Sequence, residues 1–336
     1  MRPVSRPSPR PAPAARAISP PRPVLVADLG GTNTRIALAD GAVLRQGSIR
    51  RYRNAEAPDI APLLHRYRAE MGSEPVAAAC LSVAGPVERC GRLARMTNLD
   101  WQIDAPALEG ALDLPRVALL NDLQAQGHAL AHLPARHLIT ILPGQPEQDP
   151  RASRLVVGAG TGFNAAPVHV TDHGPVVPAS ECGHAHLPRH GATEEAFARH
   201  LAAAHGIATI EDALCGRGLE ALHHWLTGSA ADAASIMAAL AAGDAAATRS
   251  GRLYAALLGR TLASLALTHL PFGGIYLIGG VARAFAPHLA ALGLADGFSE
   301  MGRFSEMMQR IPIHAVSDDY AALTGCAAMM INLRAN

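Results

Sequence analysis

The residues best suited to chemistry lie near the start of the chain, in Ala27-Asp28-Leu29-Gly30-Gly31-Thr32-Asn33, between the apolar runs 24–26 and 36–38. This pattern predicts a β-hairpin whose tip exposes backbone N–H groups without side-chain bulk. Such a tip can close around phosphate oxygens, and Asp28 could hold the hydrated Mg²⁺ that accompanies a nucleotide. An ordinary tight turn would also explain the two glycines alone. The flanking Asp, Thr and Asn residues favour phosphate.

Two further glycine-rich segments follow apolar runs later in the chain. Gly158–Asn164 contains Gly160-Thr161-Gly162 and repeats the strand, turn and strand design of the first segment. Gly279-Gly280 follows the run 275–278, where it is either a plain strand-to-helix turn or a place where an adenosine approaches the backbone. Together, the segments predict a duplicated architecture that holds a nucleotide between two lobes.

Asn121-Asp122 is the best candidate for a catalytic base. The pair ends the apolar run 117–120 and precedes a helical pattern, so the carboxylate is expected at the carboxyl end of a strand. There it could take a proton from a substrate hydroxyl that attacks a γ-phosphoryl group. The alternative is that Asp122 only caps the helix.

Composition excludes several other classes of nucleotide-binding site. All 29 basic residues are arginine, so neither the lysine of a P-loop nor the strand lysine of a protein kinase is present. Residues 30–35 also lack the glycine spacing of a Rossmann fingerprint. The net charge of +1 argues against a nucleic acid or an acidic membrane as a partner.

Cysteine spacing and hydropathy bear on the compartment. The five cysteines form no Cys-x-x-Cys pair, which argues against a zinc knuckle or a disulfide framework and favours a reducing cytoplasm. The most apolar stretch, 262–281, is interrupted by His269, Pro271 and two glycines, so we predict no membrane span.

Residues 1–23 hold eight prolines, five arginines and no acid. They are predicted to be a disordered tail; a transit peptide is the alternative, although the prolines disfavour its amphipathic helix.

Strand and helix patterns alternate through the rest of the 336 residues, 49% of which are hydrophobic. They predict an α/β protein with mixed sheets and a sizeable core. We predict a small lobe over 24–133 that also takes the C-terminal helix at about 322–336, and a large lobe over 134–321. The Pro-rich segment 134–150 is a candidate hinge. Strands are expected at 24–29, 35–39, 77–83, 116–120, 154–158, 165–170 and 274–278; helices are expected at 57–71, 123–131, 194–205, 219–225, 231–242, 249–270 and 281–289.

Nine motifs occur in a fixed order between residues 24 and 331. They are Asp28-Leu29-Gly30-Gly31-Thr32-Asn33; Ala84-Gly85-Pro86-Val87; Met96-Thr97-Asn98 with Trp101; Asn121-Asp122; Gly160-Thr161-Gly162; Glu181-Cys182-Gly183-His184; Glu211 with Gly216-Arg217-Gly218-Leu219; Gly273-Gly274 to Gly279-Gly280; and Gly302-Arg303-Phe304 with Ile311-Pro312. In this order the sequence resembles the bacterial glucokinase family, within the larger group of sugar kinases, actin and heat-shock chaperone ATPases. The resemblance implies a two-lobed actin-like ATPase (ribonuclease H-like) fold with mixed sheets and a central cleft.

The resemblance also implies roles for individual residues. Asp122 would be the general base, and Asp28 would hold Mg²⁺ through water. The implied sugar ligands are Asn98, Asn121, Asp122, Glu181, His184 and Glu211. The implied ATP-binding residues are Ala27, Asp28, Leu29, Gly30, Gly31, Thr32, Asn33, Gly160, Thr161, Gly162, Gly279 and Gly280.

Two segments depart from the family pattern. The family usually has Gly-Glu-Gly-Gly-His where this chain has Ser180-Glu181-Cys182-Gly183-His184, and it commonly has Leu-Gly where this chain has Phe163-Asn164. These changes retain the charged ligands but bear on sugar preference and affinity. The cysteine-rich zinc motif of the related family of repressors, open reading frames and kinases is missing.

The function implied by the resemblance is ATP-dependent phosphorylation of D-glucose at the 6-hydroxyl, by a cytoplasmic homodimer with glucose and ATP as its partners. The alternatives are a kinase of mannose or an N-acetylated hexosamine, and a non-catalytic sugar-responsive regulator. An actin-like assembly protein would have no use for Glu181, His184 and Glu211. Polyphosphate or ADP as the phosphoryl donor remains an alternative, because backbone-lined loops recognise phosphate more than the base.

Overall fold

The computed structural model describes residues 22–88, 90–145 and 149–335. The predicted tail over 1–23 therefore lies outside the described residues, except for its last two positions. The strands are β1 Val24–Leu29, β2 Asn33–Asp40, β3 Val43–Leu44, β4 Arg50–Arg53, β5 Ala79–Val83, β6 Leu93–Arg95, β7 Gln102–Asp104, β8 Val117–Asn121, β9 Leu138–Leu142, β10 Arg154–Ala159, β11 Phe163–Thr171, β12 Gly174–Val176, β13 Ile275–Ile278 and β14 Ile313–Val316. The helices are α1 Ile60–Glu70, α2 Ala105–Leu112, α3 Asp122–Ala129, α4 Gly191–His205, α5 Ile210–Leu214, α6 Gly216–Thr227, α7 Ala233–Ala241, α8 Ala245–His269, α9 Gly280–Phe285, α10 Leu294–Ser299, α11 Ser305–Arg310 and α12 Ala321–Ala335.

The first sheet has the strand order β3-β2-β1-β5-β8, with β4 also paired to β2. Strands β1 and β2 form the predicted antiparallel hairpin, whereas β1, β5 and β8 run parallel to one another. Because parallel strands end at the same edge of a sheet, Asp28 near the end of β1 and Asn121 at the end of β8 share that edge. The edge lies where the sequence predicts the first phosphate loop and the base.

The second sheet repeats this plan, with the order β12-β11-β10-β13-β14-β9. Strands β10 and β11 form an antiparallel hairpin, and β10, β13 and β14 run parallel. The duplicated strand, turn and strand design predicted from the sequence is therefore confirmed. Its hairpin tip at 160–162 and the end of β13 at Ile278 again share one edge.

Helix α3 packs against both sheets. Its Leu123 joins a buried cluster with Val156 and Val168 of the second sheet. Its Ala125 joins a different cluster, with Val26 of the first sheet and Leu323 of α12. The single turn of chain after Asn121 is thus held from two sides, which fixes the start of α3 relative to both hairpins.

The predicted strands are all present, and the structure contains several further short strands that no local sequence pattern marks. Strands β3, β4, β6, β7, β9, β12 and β14, and helices α2, α5, α10 and α11, were not expected. The segment 134–150, a Pro-rich candidate hinge in the sequence, contains a strand that was not predicted, because β9 lies there and pairs with β14 at the edge of the second sheet. Such short strands form because a partner distant in sequence supplies their hydrogen bonds.

Within the described ranges, no helix is both long and apolar enough to span a bilayer.

Close packing of α3 on α12 generates a test of this arrangement. A Cβ added at Gly325 of α12 would overlap the carbonyl oxygen of Ala125, a backbone atom that cannot rotate away. We expect Gly325→Ala to lower the free energy of unfolding by about 2 kcal/mol or more, because overpacking a tight contact forces the helices apart. Urea unfolding followed by circular dichroism measures the change.

Gly110→Ala in α2 is the matched control. No atom lies within 4 Å of a Cβ built at Gly110, and the residue is exposed. The same substitution should there raise the unfolding free energy by up to about 1 kcal/mol, the difference in helix propensity between the two residues. Equal stability of the Gly325→Ala variant and the parent protein would contradict the proposed contact between α3 and α12.

Candidate active site

The tip of the first hairpin is held by a buried asparagine. The N–H of Gly30 donates to the carbonyl of Asn33 at 3.1 Å and closes the turn. Nδ2 of Asn54 donates to the carbonyl of Gly30 at 2.7 Å, and Oδ1 of Asn54 accepts the hydroxyl of Thr34 at 2.8 Å. Asn54 follows β4 and was missed from the sequence, because nothing local to it marks its partner at the hairpin. Its two hydrogen bonds, to Gly30 and Thr34, hold the hairpin tip in one conformation.

Asp28 lies beside this loop with its carboxylate only partly compensated. The hydroxyl of Ser82 donates to Oδ1 at 3.2 Å, and Nη1 of Arg35 lies 3.4 Å from Oδ2. Burial raises the pKa of Asp28, an effect that the positive charge of Arg35 opposes. Ala27 and Leu29, predicted to contact ATP, are fully buried in the sheet, so any contact with a nucleotide at this tip falls to residues 30–33.

The start of α3 separates the roles of two neighbouring residues. Asn121 is the helix cap: its Oδ1 accepts the N–H of Gln124 at 3.0 Å, and Oε1 of Gln124 accepts the N–H of Asn121 at 3.1 Å. The carboxylate of Asp122 accepts the N–H of Leu123 at 2.8 Å. Because Asn121 supplies the cap, the structure does not support the alternative that Asp122 only caps the helix.

The surroundings of Asp122 change its acidity. The residue is open to solvent, yet enough protein surrounds the carboxyl group that its limited solvation raises the pKa to about 6. The N–H of Leu123 opposes this shift, whereas the carboxylates of Asp28 and Glu181 add to it by repulsion. Asp122 therefore lies within electrostatic reach of acids from both halves of the molecule, and above pH 6 it is a carboxylate able to accept a proton.

The second hairpin tip is held by contacts from α5 and α6. The N–H of Gly216 donates to the carbonyl of Gly160 at 2.9 Å. Oε2 of Glu211 accepts the N–H of Phe163 at 2.9 Å, and a Cβ at Gly162 would lie 2.6 Å from the same oxygen. Glu211, predicted as a sugar ligand, thus rests directly on the second glycine-rich loop.

The third glycine pair joins this loop. Gly279 has a φ of 98°, and a Cβ there would overlap the carbonyl oxygen of Ala159. A Cβ at Gly160 would lie 3.7 Å from the N atom of Gly280. The hairpin tip and the strand-to-helix turn therefore form one continuous backbone surface.

An open cleft of about 530 Å³ is lined by Arg217, Glu220, His224 and Asp232 among others. Gly216, which precedes the lining residue Arg217, lies against the glycine-rich loop, because a Cβ there would lie 3.6 Å from the carbonyl oxygen of Gly160 and 3.9 Å from Val281. The sequence indicated this part of the chain only through the motif 216–219. The cleft residues come from α6 and the segment before α7, so no single pattern marks them.

The remaining predicted residues lie on the segment 180–184 and near the first loop. Glu181 and His184 are exposed, and the turn that carries them rests on β11, since a Cβ at Gly183 would overlap the carbonyl oxygen of Phe163. Asn98 lies 3.6 Å from a Cβ built at Gly31. Thr32 and Thr161 are exposed at the two hairpin tips.

These contacts bring the predicted residues into two connected groups. Glu211 adjoins Gly162 and Gly183, and Gly160 adjoins the pair at 279–280. Asn98 adjoins Gly31, while Asp122 is within electrostatic reach of both Asp28 and Glu181. The Asp122 carboxylate thus lies within electrostatic reach of acids from both halves of the molecule, an arrangement that would suit transfer of a phosphoryl group to a hydroxyl.

Comparison with known proteins shows the family of this chain. The family model described as Glucokinase matches residues 25–333, and a glucokinase of Saccharophagus degradans is 31% identical over 321 residues, covering 93% of this chain and 99% of that protein. The chain belongs to the glucokinase family. The match spans both sheets and every glycine-rich loop described above.

Solved structures confirm the fold. A glucokinase from an Antarctic psychrotroph superposes with a TM-score of 0.83 at 26% identity, covering 93% of this chain and 99% of the other. A ROK family glucokinase from Streptomyces griseus, solved in complex with glucose and AMPPNP, gives a TM-score of 0.56 at 19% identity, with 91% and 98% covered. The predicted actin-like α/β fold with mixed sheets is therefore confirmed.

Proposed function

We propose that this member of the glucokinase family transfers the γ-phosphoryl group of ATP to the 6-hydroxyl of D-glucose. The observation that carries the proposal is the Asp122 carboxylate, with its pKa of about 6, at the edge shared with the first glycine-rich loop and within reach of Glu181. Membership in the family supports the reaction, and the position of Asp122 supports its assignment as the base.

In the proposed reaction, Asp122 accepts the proton of the 6-hydroxyl as its oxygen attacks the γ-phosphorus. The bond from the γ-phosphorus to the bridging oxygen breaks, and ADP leaves. Because the pKa of Asp122 is about 6, the group is a carboxylate at neutral pH but remains basic enough to take the proton. An unperturbed aspartate would be a weaker base.

The sugar is proposed to contact Asn98, Asn121, Glu181, His184 and Glu211 in addition to Asp122. Carboxylates, amides and an imidazole provide the acceptors and donors that a ring of hydroxyls needs. Glu181 and His184 are exposed on one short turn, which supports their availability to a ligand. Glu211 would affect the binding of both substrates. Besides contacting the sugar, its carboxylate accepts the N–H of Phe163 and so holds the loop proposed to bind ATP.

The phosphates of ATP are proposed to lie between Gly30-Gly31-Thr32-Asn33 and Gly160-Thr161-Gly162, with the adenosine against Gly279-Gly280 and its base in the adjoining cleft. Asp28 fits a role at Mg²⁺, since its partly buried carboxylate is only partly compensated and Asp122 lies within electrostatic reach. Bound there through water, the ion would neutralise charge on the phosphates. Asp28 and the two loops would orient that complex.

We further propose the lobe division 24–133 with the C-terminal helix, and 134–321. Closure of these lobes around the sugar would exclude water that competes for the phosphoryl group. A homodimer in the cytoplasm is part of the same proposal and rests on the family resemblance. Gel filtration with light scattering measures the oligomeric state directly.

The activity is tested with a coupled assay of ADP release from Mg-ATP, using glucose, mannose, N-acetylglucosamine and N-acetylmannosamine, with a reaction lacking sugar as the background. We expect glucose to give the largest kcat/KM. A larger value for another hexose would change the substrate but not the reaction. Sugar binding without ADP release above background would favour a sugar-responsive regulator and overturn the proposal.

Substitution of the base is the second test. Asp122→Asn should lower kcat by roughly 10²- to 10⁴-fold, because the amide cannot accept the proton, while glucose still binds. In the parent enzyme, kcat/KM for glucose should fall as the pH drops below about 6, where Asp122 becomes protonated. Isothermal titration with glucose checks that the variant retains its site. A kcat close to that of the parent enzyme would rule out Asp122 as the base.

A third test separates the two substrates. Glu181→Gln should raise the KM for glucose by roughly 5- to 150-fold, because one hydrogen-bonded partner of the sugar is weakened, with little change in the KM for ATP. Gly160→Val should chiefly raise the KM for ATP, because the side chain would crowd Gly279-Gly280. Glu211→Ala should raise both constants, since its carboxylate holds the N–H of Phe163. The reverse pattern for the first two variants would show that the assignments are exchanged.

A further inference from the structure

Asn164 joins the second glycine-rich loop to the turn that carries Glu181. Its Nδ2 donates to the carbonyl of Ser180 at 2.5 Å and to Oε2 of Glu181 at 3.2 Å. Its Oδ1 accepts the N–H of Ala165 at 2.8 Å, which fixes the orientation of the amide. One side chain therefore binds both the backbone and the carboxylate of the opposite segment.

Cys182 completes this group from the other side. Its Sγ donates to Oδ1 of Asn164 at 3.5 Å, and its N–H donates to Oγ of Ser180 at 3.2 Å. Ser180, Cys182 and Asn164 are also the three positions at which this chain departs from a glycine of the family pattern. Glycine has no side chain, so each of these contacts depends on at least one of the three departures, and together they form the group that we call the Asn164 network.

The network restricts Glu181 without neutralising it. Among the described residues, Asn164 is the one side chain that donates a hydrogen bond to the Glu181 carboxylate, and it is uncharged. One oxygen is thereby held while the carboxylate keeps its charge and its capacity to accept further hydrogen bonds. An exposed glutamate otherwise samples many rotamers, and ordering it on binding a ligand costs free energy.

We propose that Asn164 is a positioning residue that fixes Glu181 in the orientation in which it binds the sugar. The inference rests on the proposed function of Glu181 and goes beyond it, because it assigns a role to a residue outside the sugar ligands. Asn164 acts by pre-organising the carboxylate, so its contribution is to sugar affinity rather than to the chemical step.

The test compares Asn164→Gly and Asn164→Asp with the parent enzyme in glucose titration calorimetry and steady-state kinetics. Both variants should weaken glucose binding by about 5- to 30-fold, with kcat and the KM for ATP changed less than about 3-fold. Asn164→Asp should have the larger effect, because its carboxylate repels Glu181 and cannot donate to the carbonyl of Ser180. Thr171→Ala, at the exposed far end of β11, is the control and should bind glucose like the parent enzyme.

A double-mutant cycle with Glu181→Ala separates positioning from a general loop effect. If Asn164 acts through Glu181, Asn164→Gly should change glucose affinity by less than about 2-fold once the carboxylate is gone. The same loss in both backgrounds would overturn the proposal, as would unchanged glucose affinity of both Asn164 variants. Failure of the proposed function would be distinct, because the parent enzyme itself would then neither bind glucose nor release ADP with it.

Discussion

The packing of α3 between the two sheets is the constraint on which the rest of the structure depends. One side of the helix contributes Leu123 to the second sheet, and the other contributes Ala125 to a cluster with α12 and the first sheet. The close contact of Gly325 with the Ala125 carbonyl leaves no room for α3 to shift toward α12. Because Asp122 is the first residue of this helix, its position relative to both glycine-rich hairpins follows from core packing.

Electrostatics at the site follow from that placement. Asp28 and Asp122 lie at one edge of the first sheet, and Glu181 approaches from the other half of the molecule. Limited solvation and mutual repulsion raise the pKa of Asp122 to about 6, which makes the group a better base at neutral pH. Holding like charges near one another lowers the stability of the fold, and the same repulsion makes Asp122 more basic. A cation bound nearby would relieve the repulsion.

The second half of the site is organised by hydrogen bonds between loops. Glu211 holds the N–H of Phe163, and the next residue, Asn164, holds the turn of Ser180 and Glu181. Two consecutive residues of β11 are therefore tied to two different segments that carry proposed sugar ligands. In this chain, side-chain hydrogen bonds at three positions replace the conformational freedom of glycine, which favours a pre-organised site over an adaptable one.

The sequence by itself determined the features that depend on neighbouring residues. The two hairpins, the start of α3 after Asn121 and the alternation of strands and helices follow from local patterns, since turns and caps are hydrogen-bonded within a few residues. The motif order also sufficed to identify the family. Tertiary structure alone decided the pairing of β9 with β14, in which Thr140 and His314 meet across 174 residues. It likewise decided the contact of Asn54 with Gly30 and the raised pKa of Asp122, because solvation and long-range partners exist only once the chain has packed.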